Sequence, residues 1–134
     1  MNKEDIITAL KEAVIPDEEY YIDSEIIDAM LEYPDPFQFV KPILEIISQN
    51  PSVDFGSPGE LVHFVEKFYK KGYEEELIAS LKRMPSLHTI WMLNRLINGT
   101  DNPENYLSLM KEISQSETYS KEIRDQALYF LSDN

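Results

Sequence analysis

Residues 86–99 read SLHTIWMLNRLING, the least surface-like helical stretch in the chain. Its apolar residues are Leu87, Ile90, Trp91, Met92, Leu93, Leu96 and Ile97. At 3.6 residues per turn they leave only narrow gaps around the helix, and a helix that is apolar nearly all round must be covered on most sides. Ser86 suits the N-cap position and Gly99 suits the end. The sequence therefore predicts a central helix surrounded by other helices.

Two polar residues of this helix, His88 and Arg95, are seven positions apart and share one face with Trp91. One interpretation is a polar slot beside Trp91 that binds a partner. The other is a pair at the edge of the core, each residue bonded to a helix end or a carboxylate. Both interpretations stay open from the sequence.

The remaining apolar residues recur at helical spacing, in segments separated by very short turns. The clearest start signal is at Ser57, Pro58 and Glu60, which match a capping box with proline in the first helical position. Gly72 is placed to end that helix. Other helices are predicted at residues 3–14, from Ser24 to before Pro34, from Pro36 onward, at 73–84, from Pro103 onward and at 119–131.

The predicted fold is all-α, and residues 1–134 form a single domain. Short turns between helices favour antiparallel hairpins, and a row of hairpins is an α-solenoid of the HEAT or armadillo kind. No sharp repeat is present, so an irregular helical bundle is the alternative. In either case residues 55–134 form hairpins around the helix at 86–99.

The net charge of −13 is concentrated near the N-terminus. Residues 1–54 hold 13 acidic and 3 basic residues, a net charge of −10, whereas residues 55–134 hold 12 and 9, a net charge of −3. Such a field repels nucleic acid and anionic membranes and attracts a basic partner. Acidity that serves solubility alone is the competing explanation.

Compartment and chemistry are constrained by what the sequence lacks. It has no cysteine, no secretory signal pattern and no apolar run of membrane-spanning length, which predicts a cytoplasmic protein. Glu60 and His63 have the spacing of a di-iron motif but no second copy, so neither a metal nor any other cofactor is expected. No serine, threonine or carboxylate is placed to work with a histidine, and no small-molecule substrate is indicated. The sequence predicts a protein that is not an enzyme.

Residues 16–24, PDEEYYIDS, have no helical period and are predicted to form an exposed loop. Tyrosines are rigid contact residues and carboxylates complement a basic surface, so this loop is the candidate partner-binding surface. The alternative is an ordinary acidic loop whose tyrosines fold back on the core. The candidate binding residues are Asp17, Glu18, Glu19, Tyr20, Tyr21 and Asp23, together with His88, Trp91 and Arg95.

Two stretches, FGSPGELVHFVE at 55–66 and RMPSLHTIWMLNRLING at 83–99, resemble the small helical immunity proteins of bacterial polymorphic-toxin and contact-dependent inhibition systems. The resemblance covers about the middle third of the chain and does not extend to residues 1–54. It implies a cytoplasmic, non-enzymatic protein that binds and neutralises its own toxin domain. Together with the acidic N-terminal region, it predicts a basic toxin, most simply a nuclease. The alternative function is a helical-repeat adaptor that binds a peptide or a regulatory protein.

Overall fold

The structure is a computed structural model that describes residues 1–133, and over this range it is all-helical. Residues 1–133 contain eight α-helices, one 3₁₀ helix and no strand. The all-α prediction is confirmed, whereas the solenoid arrangement stays a prediction. No helix within residues 1–133 combines the length and apolar character needed to cross a membrane. The elements are α1 Lys3–Glu12, α2 Ser24–Glu32, the 3₁₀ helix Pro36–Phe39, α3 Val40–Gln49, α4 Glu60–Glu66, α5 Tyr73–Arg83, α6 Leu87–Gly99, α7 Glu104–Gln115 and α8 Lys121–Asp133.

Helix α6 is central, as its composition predicts, because it packs against α3, α5, α7 and α8. Its start is fixed by a reciprocal capping box. The Ser86 side chain accepts a hydrogen bond from the Thr89 amide at 3.1 Å, and the Thr89 hydroxyl accepts one from the Ser86 amide at 2.9 Å. Both residues are buried, so these bonds satisfy amides that water does not reach.

Helix α3 is the second centre of packing, and it contacts α1, α4, α5, α6 and the 3₁₀ helix. Ile43, Leu44 and Ile47 recur at helical spacing and are almost completely buried. Pro42 lies in the first turn of α3, where its missing amide hydrogen costs no internal hydrogen bond. The side chains of α3 and α6 belong to one continuous apolar core.

The predicted capping box at Ser57 and Glu60 is wrong. Helix α4 begins at Glu60 after Gly59, and no side chain caps it. A β-carbon added to Gly59, whose φ is +86°, would lie 1.7 Å from the Phe55 carbonyl oxygen. The chain therefore folds tightly back on itself before α4, and only glycine fits at the fold.

The predicted end of this helix at Gly72 is also wrong, because α4 ends at Glu66. The amides of Phe68 and Tyr69 donate to carbonyls three residues back, which are tighter turns than an α-helix makes. Gly72, with φ +112°, is instead the N-cap residue that precedes α5. A β-carbon there would lie 2.8 Å from the Phe37 ring, so the glycine also permits close packing.

Candidate functional site

The segment at 16–23, here called the acidic loop, is tied to residues 52–54. The Tyr20 amide donates to the Asp54 carbonyl at 2.7 Å, and the Asp54 amide donates to the Glu18 carbonyl at 3.1 Å. These bonds make an isolated parallel bridge. Asp17, which has the unusual φ of +67°, donates its amide to the Ser52 hydroxyl at 3.3 Å. The loop is exposed except at the half-buried Tyr20 and the buried Ile22, and its backbone is held in one place.

The two tyrosines of the acidic loop have different environments. Tyr20 is half-buried, its hydroxyl donates to the Leu10 carbonyl at 2.8 Å, and its ring lies 5.2 Å from the Phe55 ring. Burial, and then the nearby Glu60 carboxylate, raise the pKa of Tyr20. Tyr21 is 75% exposed. Tyr20 therefore folds back on the core and secures the loop, while its role in binding a partner stays a prediction.

The acidic side chains of the loop all face solvent. Asp17, Glu18, Glu19 and Asp23 are exposed, and within residues 1–133 none of them forms an ion pair with a lysine, arginine or histidine. Asp23 accepts a hydrogen bond from the Glu25 amide at 3.1 Å and so caps α2. The negative charge of the loop is consequently not neutralised by ion pairs within residues 1–133.

The three predicted residues of α6 are brought together in the expected order along one face. The rings of His88 and Trp91 are 5.2 Å apart, and the Arg95 guanidinium lies 5.1 Å from the centre of the Trp91 ring. The second distance is within the range of a cation–π interaction. Trp91 thus fills the space between His88 and Arg95, and these two residues do not close a slot directly.

Arg95 is held by the carboxylate of Glu66. Its Nε donates to Glu66 Oε2 at 2.7 Å, and its Nη2 donates to Glu66 Oε1 at 2.9 Å. The hydrogen bond to Glu66 raises the pKa of Arg95. Of the two interpretations from the sequence, the contacts of Arg95 match the second, a residue at the edge of the core that is bonded to a carboxylate.

His88 is a half-buried histidine in an aromatic setting. Its Nε2 atom is buried and has no hydrogen-bond partner within residues 1–133. Burial lowers its pKa below the ordinary 6.5, and the Asp54 carboxylate acts in the opposite direction. Since the charged form is the one that burial disfavours, His88 is neutral at pH 7.

Phe55 joins the acidic loop to the α6 face. Its ring lies 5.2 Å from the Tyr20 ring and 5.8 Å from the His88 ring. Sequence reasoning identified neither Phe55 nor Asp54 nor Glu66 as part of the site. Glu66 is 29 residues from Arg95, so no local pattern signals the pair. The acidic loop and the α6 face are therefore linked through the buried Phe55 ring.

No protein-family model matches this chain, and no match was found among curated proteins or solved structures.

Proposed function

We propose that this protein is an immunity protein that binds and neutralises a basic toxin domain through its acidic loop. The observation that carries the proposal is the exposed set of carboxylates at Asp17, Glu18 and Glu19, which have no cationic partner within residues 1–133. A nuclease needs lysine and arginine around its phosphate-binding cleft. Carboxylates on a fixed loop can occupy that cleft in place of phosphates.

The fixed backbone of the loop supports this mechanism. Two hydrogen bonds to Asp54 and one from Asp17 to Ser52 hold it before any partner arrives. A preorganised loop loses little conformational entropy on binding, so more of its interaction energy contributes to affinity. Charges at the edge of such an interface act mainly on the association rate.

Tyr21 is the aromatic contact residue that the geometry favours. It is 75% exposed and follows Tyr20, whose hydroxyl is already bonded to the Leu10 carbonyl. An exposed tyrosine can bury its ring against a partner without breaking an internal contact. In the proposed complex, Glu18 and Glu19 contact basic side chains and Tyr21 packs against an apolar patch beside them.

The resemblance of residues 55–66 and 83–99 to immunity proteins supports the same function. It implies a cytoplasmic protein, which would meet an incoming toxin in that compartment. A short solenoid of antiparallel hairpins fits the proposal too, since it would give the acidic loop a rigid support. Nothing in this function requires a cofactor or an enzymatic activity.

The test uses the toxin domain encoded by the gene directly upstream, because an immunity gene adjoins its toxin gene. Bacterial cells expressing that domain are compared with and without this protein, and the two purified chains are mixed to measure binding. The proposal expects survival and a stable complex. Cell death at full expression of this protein, with no complex formed, would contradict it.

A second candidate function, a helical adaptor that binds a peptide, is favoured by one feature. A groove of about 560 Å³ lies between the end of α3, the turn before α6 and the start of α8. Met84 lines this groove and is 45% exposed. If the groove is the binding site, Met84→Asp abolishes binding of a protein partner while Glu18→Lys has little effect. The immunity proposal expects the reverse.

A further inference from the structure

A second, separate cavity lies where the ends of α4 and α6 meet the start of α5. Its volume is about 260 Å³. Tyr73 and Leu96 are buried, whereas Gly99 is exposed, so the cavity extends from the core to the surface. A cavity of about 150 Å³ holds one benzene molecule, so this one accommodates a small organic group. It is lined by Glu66, Tyr69, Tyr73, Arg95, Leu96 and Gly99.

Tyr73, at the buried end of this cavity, carries an unusual group, its hydroxyl. Tyr73 has no exposed surface, and its hydroxyl has no hydrogen-bond partner within residues 1–133. Burial, and then the Glu66 carboxylate, raise its pKa, whereas the Arg95 guanidinium acts in the opposite direction. Buried hydroxyls are normally bonded, so one without a partner points to a missing group.

The other polar groups of the wall offer both donors and acceptors. Arg95 uses its Nε and Nη2 for Glu66, and a guanidinium has five N–H groups in all. Each Glu66 oxygen keeps lone-pair capacity beyond the bond it accepts. Leu96 and Gly99 lie in the last turn of α6, where backbone carbonyls have no partner inside the helix.

The charges of the wall select a neutral ligand. An anionic group would face Glu66 and the negative end of the α6 dipole, in a protein with a net charge of −13. A cationic group would face the Arg95 guanidinium. Since Glu66 and Arg95 already neutralise each other, either ion would lose its hydration without gaining a counter-charge.

We infer that this cavity binds a primary carboxamide, either on a small molecule or at the end of a partner's asparagine or glutamine side chain. The carboxamide oxygen accepts from the Tyr73 hydroxyl and from a free Arg95 N–H. Its NH₂ group donates to Glu66 or to the α6 carbonyls. Because the hydroxyl is out of reach of solvent, the half-buried Tyr69 and Arg95 side chains adjust on binding, a common change at binding sites.

The first test compares three probes of nearly equal size: the methylamides of N-acetyl-glutamine, N-acetyl-glutamate and N-acetyl-lysine. Each is titrated into the ¹⁵N-labelled protein while backbone amide resonances are followed by NMR. The inference expects saturable shifts at Tyr73, Leu96 and Gly99 with the glutamine probe alone. Shifts of equal size with all three probes, or none there with glutamine, would overturn it.

Two variants then test the assigned contacts. Tyr73→Phe removes the unbonded hydroxyl, so it should raise the melting temperature of the free protein and weaken glutamine-probe binding about tenfold, the cost of one lost hydrogen bond. Gly99→Leu should block binding and leave the fold intact, since a β-carbon at Gly99 meets nothing within 4 Å.

Unchanged probe binding in both variants would contradict the assignment. If Tyr73→Phe does not fold, Gly99→Leu and Gly99→Ala form the comparison, with the small alanine expected to keep more binding than leucine.

A further experiment asks whether the carboxamide belongs to a small molecule or to a protein side chain. A cellular extract is separated into its proteins and its small molecules, and each part is added to the protein with the probe bound. Displacement of the bound probe by the protein-free part indicates a small molecule. Displacement only by the protein part indicates a side chain. These measurements need no toxin and are independent of the proposed function.

Discussion

The Tyr20 amide donates a hydrogen bond of 2.7 Å to the carbonyl oxygen of Asp54. This bond connects the loop after α1 to the segment before α4, 34 residues further along the chain. It explains how a stretch with no helical period and several like charges keeps a defined backbone. It also adds the exposed Asp54 carboxylate to the acidic surface around Glu18 and Glu19.

Removing the Tyr20 hydroxyl tests whether that side chain secures the loop. The hydroxyl donates to the carbonyl of Leu10, which lies near the end of α1. The last carbonyls of a helix have no amide partner within the helix, so this bond satisfies one of them. Tyr20→Phe should lower the free energy of unfolding by roughly 0.5 to 1.5 kcal/mol in urea denaturation. Tyr21→Phe is the matched control, and because Tyr21 is exposed its effect should be below about 0.5 kcal/mol. Equal effects in the two variants would contradict the assigned roles.

The start of α6 depends on Ser86, and this can be compared with a serine that does not cap. Ser86→Ala removes a side-chain acceptor for the Thr89 amide in a buried capping box. The expected loss of unfolding free energy is about 1 kcal/mol or more. Ser57→Ala, at the exposed position where a cap was predicted, should change stability little. A larger effect at Ser57 than at Ser86 would refute the structural assignment of these caps.

Predictions from local pattern succeeded where local chemistry decides the structure. Apolar residues lie nearly all round α6, and this predicts its central position. A serine directly before an apolar run predicts the cap at Ser86. The Ser57 prediction failed because Gly59 folds against the Phe55 carbonyl, a contact that helix-start patterns do not encode. The pattern gave the correct class of structure there but the wrong boundaries.

The interaction between Arg95 and Glu66 is measurable by a double-mutant cycle. Both side chains are partly exposed, at 38% and 24%, so solvent screening limits the gain from their two hydrogen bonds. Alanine substitutions, alone and combined, should give a coupling energy of about 1 kcal/mol. The control cycle uses Lys121 and Asp125, whose side chains are 83% and 54% exposed, and should give no more than about 0.5 kcal/mol. If the coupling energy of Lys121 and Asp125 equals that of Arg95 and Glu66, the bidentate hydrogen bonds add no stability beyond that of an exposed ion pair.

His88 makes stability depend on pH in a defined direction. Burial lowers its folded-state pKa below the ordinary 6.5, so the unfolded chain binds a proton more readily. The stability that neutral His88 provides is therefore complete above about pH 6.5 and is lost as the pH falls below it. The free energy of unfolding is measured in urea at about pH 7.5 and at about pH 5.5. It should fall by more between these two pH values in the natural protein than in His88→Phe. The control is His63→Gln, at an exposed position, whose unfolding free energy should fall as much as that of the natural protein. Equal pH dependence in the natural protein and in His88→Phe would be evidence against this account.

The candidate site was only partly predictable, because most of its contacts join distant segments. Helical spacing correctly placed His88, Trp91 and Arg95 on one face, since that depends on one helix alone. The pairing of Arg95 with Glu66 and the bond from Tyr20 to Asp54 depend on how separate elements pack. The different exposure of Tyr20 and Tyr21 has the same origin, since adjacent residues of a loop carry no periodic signal for burial.

The most direct test of the proposed function measures the association rate with the cognate toxin domain at low and high salt. The test variant reverses Asp17, Glu18 and Glu19 to lysine. The control variant makes the same change in charge at Asp101, Glu112 and Glu117, which are exposed and whose side chains make no hydrogen bond or ion pair within residues 1–133. If the acidic loop steers the toxin, the test variant associates far more slowly than the control at low salt, and the difference shrinks as salt screens the charges. A rate that does not change with salt, or equal slowing in both variants, would contradict the role of the acidic loop.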